Sequence, residues 1–113
     1  MNETQQPPSK PPISRGDLWE ALMLIEDPEL GVDLGNLGLI RDVRVEGTAV
    51  VILMTLTSIG CPVADEIEFE VKNILGEVPG VKSVQVAFTF EPPWTPDSIT
   101  EEGRDQLMAL GYI

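Results

Sequence analysis

The strongest constraint on the fold lies between residues 49 and 90. "AVVILMTLT", residues 49 to 57, sets Val50, Ile52, Met54 and Leu56 on one face of an extended segment and Val51 and Leu53 on the other. A strand that is apolar on both faces has to be covered on both sides, so it should be the best-covered strand of its sheet. A Cys-Pro corner follows, and then Val63, Ile67, Val71 and Ile74 recur at helical spacing until about Gly76. "GEVPGV" turns the chain, after which Val84, Val86, Phe88 and Phe90 alternate with Ser83, Gln85, Ala87 and Thr89 in the period of a strand with one core face. A strand, a helix and a second strand in this order form a crossover, which is right-handed and leaves its two strands parallel.

The remaining elements attach to this unit. "LIRDVRVEGTAVVILMTLT" reads as a hairpin in which Leu39, Arg41, Val43 and Val45 share a face and Gly47 supplies the turn. Upstream, Ser14 caps a helix carrying Asp17 at the capping-box position and Leu18, Leu22 and Ile25 along one stripe. That helix should stop by Asp27, because Pro28 disfavours the helical conformation for the residue before it. "DPELGVDLGNLGL", residues 27 to 39, is then an ordered but irregular loop, of a length that is often functional. Near the end, Pro92, Pro93 and Pro96 exclude a central strand, and Thr100 caps a last helix that packs Leu107 and Leu110 and ends at Gly111.

The expected fold class is α+β in two layers: a mixed three-stranded sheet with helices on one face, in the order α-β-β-α-β-α. Residues 1–13, with Pro7, Pro8, Pro11 and Pro12, read as a flexible proline-rich tail, and 14–113 as a single domain. A docking peptide is the alternative for the tail. A chain of 113 residues fits one domain and no more.

Composition narrows the chemistry. Nineteen acidic side chains against seven basic ones give a net charge of -12, which repels phosphate backbones and argues against nucleic acid. A cation, a metal-bearing centre or a basic protein face suits that surface better, although solubility alone would also account for it. With one Cys and no His, the chain cannot form an internal disulfide, a CxxC pair, a Cys-His or Ser-His dyad, or an imidazole metal site. No apolar run approaches the ~20 residues of a membrane span, and the first residues do not resemble a secretory signal, so the expected location is the cytoplasm, without membrane contact.

The single thiol, Cys61, sits where the buried strand gives way to the helix. Pro62 suits a first helical position, which puts Cys61 near the N-cap. The helix terminus favours a thiolate there by only ~0.3 to 1 kcal/mol, and Asp65 and Glu66 one turn on oppose it. Position says more than acidity. Ligand sites gather beyond the carboxyl ends of parallel strands, where Thr57, Ser58, Gly60 and Cys61 lie, and Gly60 lets another backbone or a ligand come close. The competing reading is a small buried hydrophobe beside a helix start.

Three separated segments carry a resemblance. "DPELGVDLGNLGLIRDV", "TLTSIGCP" and "FEPPWTPDSIT" resemble the PaaD-like and SufT-like family of metal-sulfur cluster assembly proteins, over about Leu18 to Gly111. The resemblance implies a small mixed-sheet domain of the iron-sulfur cluster assembly type, acting in cluster maturation or delivery. It implies that Asp27, Glu29 and Leu30 together with Thr57, Ser58, Gly60 and Cys61 form the working surface. This chain has Ile59 where the family motif usually has Pro, which changes the stiffness of the loop before the thiol. A thiolate is a soft ligand suited to iron, but a cluster generally takes four, so a lone Cys suits a transient iron-sulfur cluster or iron, held with a partner's ligands. The implied partners are cluster assembly proteins and client apoproteins, with a second copy of the chain as a further candidate.

Other readings stay open. PaaD-like relatives suggest a maturation component for a multicomponent oxygenase, and a plain interaction adaptor would need no metal. A thiol-dependent enzyme with Asp27 or Glu29 as proton acceptor ranks last, because carboxylates beside a thiol raise its pKa. Asp27 before Pro28 is equally a turn former, Asn36 between two glycines a conformational choice, and Trp94 an anchor of the C-terminal segment onto the sheet. Phe69 falls off the helix stripe, as a second packing contact or a partner-facing residue.

Overall fold

The computed structural model describes residues 13–57 and 64–112. In chain order it contains α1 (Arg15–Leu22), β1 (Ile40–Glu46), β2 (Ala49–Met54), α2 (Ala64–Gly76), β3 (Ser83–Phe88), a short 3-10 turn (Pro96–Ser98) and α3 (Glu101–Ala109). The strands form one mixed sheet in the order β1-β2-β3, β1 antiparallel and β3 parallel to the central β2. This is the α+β arrangement expected from the crossover.

The doubly apolar strand is central because both neighbours pair with it. Val50, Ile52 and Met54 are fully buried, while Val51 and Leu53 on the other face are half-buried. α2 covers the core face through Ile67, Val71 and Leu75, spaced four apart. The expected stripe is corrected by one position at its end: Leu75 is buried where Ile74 is only half-buried. Val63 lies outside the described residues. α2 packs on β3 and α1 on α2, and one core takes in all three helices and the irregular loop. It also includes Ile13, the last residue of the segment assigned to the tail.

The hairpin forms as expected at Gly47, whose φ of 65° a residue with a side chain would adopt at a cost. Its first strand departs from simple alternation. Ile40 pairs with Met54 and Asp42 with Leu53, so Arg41 is an extra residue in a β-bulge. The bulge frees Arg41, whose Nη2 donates to the carbonyl of Pro92 at 2.7 Å.

One helix end and one buried position differ from expectation. Ser14 caps α1, its Oγ accepting from the N–H of Asp17, and the helix stops before Asp27 as expected, but it ends at Leu22, so Ile25 lies beyond the stripe it was assigned to. The backbone of residues 25 to 27 is engaged elsewhere: Ile25 accepts from Leu34 N–H at 2.9 Å and Asp27 N–H donates to Val32 at 2.9 Å. These bonds, with the Glu26–Asp33 bridge, close the loop that follows. At the other end Thr100 caps α3 through Gly103 N–H. Leu107 is buried, but Leu110, expected in the core, is 55% exposed. The buried face of α3 runs from Gly103 to Leu107, because Gly103 lies directly against the loop; a Cβ there would stand 2.7 Å from the Asn36 carbonyl oxygen. Among the described residues no helix is long and apolar enough to cross a membrane.

Candidate functional site

The loop between Asp27 and Leu39 is built on two carboxylates. Asp27 is 5% exposed, and its Oδ1 accepts from Glu29 N–H at 2.8 Å and Leu30 N–H at 3.1 Å, while its carbonyl accepts from Gly31 N–H at 2.8 Å. Pro28 has no N–H to satisfy, so this single side chain caps the whole turn. The turn-forming role of Asp27 is therefore physical, and it leaves Glu29 exposed and Leu30 half-buried at the surface. Tyr112 approaches from the far end of the chain and its hydroxyl donates to the carbonyl of Glu29 at 3.1 Å.

Asp33 organises the second half. Its Oδ2 accepts from Asn36 N–H at 2.8 Å and its Oδ1 from Asn36 Nδ2 at 2.7 Å. Asn36 Oδ1 in turn accepts from the Thr100 hydroxyl at 2.6 Å, and the Asn36 carbonyl from Thr100 N–H at 2.9 Å. Thr100 caps α3 with the same hydroxyl, so one buried amide joins the loop to the last helix. Asn36 is thus a structural hub, which exceeds the conformational role read from its neighbouring glycines. Trp94 packs against the core, and its Nε1 donates to the Leu37 carbonyl at 2.7 Å, so it anchors the C-terminal segment onto this loop as well.

The turn meets α2. Ile25, Glu26 and Pro28 from the loop side, with Glu66, Ile67 and Glu70 from the helix, line a recess of about 20 Å³, room for about one water molecule. Sequence reasoning passed over Glu26 and Glu70 here. Glu66 and Glu70 stand four apart on a helix, the spacing that puts two side chains on one face, but nothing local revealed that the turn would lie against that face. Among the described residues no group of three or more His, Cys, Asp or Glu side chains is placed to hold a metal ion.

At the end of β2, Leu56 is buried and Thr57 half-buried. Thr55, not singled out in the sequence, is fully buried, and its Oγ1 has no hydrogen-bond partner among the described residues. Ser58, Ile59, Gly60 and Cys61 lie outside the described residues. The structure therefore brings the Asp27–Leu30 turn beside the first turns of α2, the helix into which the cysteine segment runs. Phe69, on the same helix, is 66% exposed and faces away from the core.

Residues 15–88 match the family described as iron-sulfur cluster assembly protein. The chain belongs to that family. It is 46% identical over 96 residues to the Fe-S protein maturation auxiliary factor YitW of Bacillus subtilis, covering 84% of this chain and 91% of that one. It is 40% identical to the Fe-S protein maturation auxiliary factor SufT of Staphylococcus aureus, over 78% of this chain and 98% of that one. A crystal structure of a Bacillus anthracis domain of unknown function is similar with a TM-score of 0.78 and 40% identity, covering 87% of this chain and 92% of that one. The SufT-like and PaaD-like resemblance drawn from the three sequence segments agrees with this family.

Proposed function

We propose that this protein is an accessory factor in iron-sulfur cluster assembly or delivery to client apoproteins, and that Cys61 is the sulfur that meets the cluster. Glu29, Leu30, Thr57, Ser58 and Gly60 form the surface around it, and the buried Asp27 holds the turn that presents Glu29 and Leu30. The observation that carries this reading is the packing of the Asp27–Leu30 turn beside the start of α2, next in sequence to the cysteine segment, in a chain of this family. The maturation-factor names of its full-length relatives support the same role.

The chemistry follows from the donor set. A cluster is generally held by four thiolates, and this chain has one Cys and no His. The cluster is therefore cargo shared with another chain. Cys61, as thiolate, replaces one ligand of an incoming cluster and is replaced in turn by a client thiolate, with no change of oxidation state. The charge of -12 favours donors and clients that offer a basic face.

The test is an anaerobic pull-down of the tagged chain with iron and sulfide analysis of the recovered complexes. Iron, sulfide and cluster enzymes recovered with the wild type and lost with Cys61→Ser are expected. Equal recovery of iron and sulfide with both would defeat the role of the thiol.

A further inference from the structure

Beside α1 runs an open groove of about 500 Å³ that the cluster-handling reading does not use. Its floor is apolar, formed by Ala21, Met23 and Leu24 of the helix end and by Val78 and Pro79 of the turn after α2. Leu24 is 74% exposed and Met23 39%, a costly display of apolar surface on a domain this small. Asp17 and Glu20 form an acidic rim along one side.

We propose that this groove is the docking site of the chain's own proline-rich segment, residues 7 to 12, lying back along α1. Three observations carry it. The first is where the segment attaches: Ile13 is buried at 3% exposure immediately before the Ser14 cap, which fixes its exit at the start of the helix that lines the groove. The second is composition. "PPSKPP" is prone to the extended polyproline conformation, which has no internal hydrogen bonds and loses little entropy on docking to an apolar groove. Its one cation, Lys10, matches an acidic rim.

The third is register. A polyproline strand advances about 3.1 Å per residue and the helix about 1.5 Å per residue. Counted back from Ile13, Lys10 lies about 9 Å along, between Asp17 at about 6 Å and Glu20 at about 10 Å. Pro8 lies at about 15 Å, just past the end of the helix at Leu22, about 13 Å along, where Met23 and Leu24 begin the apolar floor. Charge therefore meets charge where proline meets the apolar floor.

The test uses the full chain carrying Ser9→Cys with Cys61→Ser, so that a nitroxide label sits on the tail alone. Paramagnetic broadening of the amide signals of Glu20, Ala21, Leu24 and Val78 is expected, with most of their intensity lost. Leu24→Glu or Lys10→Glu should restore it. No broadening at these amides overturns the proposal. So does broadening that appears only when labelled chain is mixed with isotope-labelled, nitroxide-free chain, because the groove would then hold a second copy. The outcome is independent of whether Cys61 handles a cluster.

Discussion

Asn36 holds the irregular loop to α3 through bonds on both sides of its amide, and its loss leaves Asp33 and the Thr100 hydroxyl short of partners in a buried place. Asn36→Ala should cost about 2 to 3 kcal/mol in urea unfolding, and the cost should be strongly non-additive with Thr100→Val. Thr55 predicts the opposite sign. A buried hydroxyl with no partner among the described residues is a standing penalty, so Thr55→Val should raise stability by about 1 kcal/mol. A lower melting temperature for that variant would contradict this. At Asp27, Asn keeps an acceptor for the two turn amides and Ala does not. Asp27→Ala should therefore lose about 1 to 2 kcal/mol by chemical denaturation and Asp27→Asn much less.

Among the elements, α3 sets helix propensity against packing. Gly103→Ala would gain about 1 kcal/mol from propensity alone, yet the added methyl would meet the Asn36 carbonyl at 2.7 Å and Ile99 Cγ2 at 2.9 Å. Thermal unfolding should show a net loss of stability. The elements that were legible in the sequence are those fixed by nearby residues. Ser14 and Thr100 cap as read, because a cap is a bond across three residues. β2 and α2 follow from their own apolar periods. The early end of α1, the exposure of Leu110 and the loop carbonyl that Trp94 bonds were not legible, since each is decided by a distant partner. Leu34 takes the Ile25 carbonyl, Gly103 brings α3 down on Asn36, and Leu37 accepts from Trp94 across 57 residues. The candidate site divides the same way: the Asp27 turn was readable from Asp-Pro, whereas the recess shared with Glu66 and Glu70 depends on how loop and helix meet.

For the molecule as a whole, the mixed sheet and its crossover helix leave a corner where the Asp27–Leu30 turn lies beside the first turns of α2. The rest of the architecture supports that corner from behind: α3 is pinned to the loop by Asn36, and Tyr112 holds the turn by its backbone. An acidic shell with one thiol and no imidazole can handle a cluster only in company. The most direct measurement is the specific activity of iron-sulfur enzymes in cells lacking this protein and supplied with either the wild type or Cys61→Ser at equal abundance. The account predicts recovery with the wild type and failure with the serine variant; equal recovery with both would contradict it.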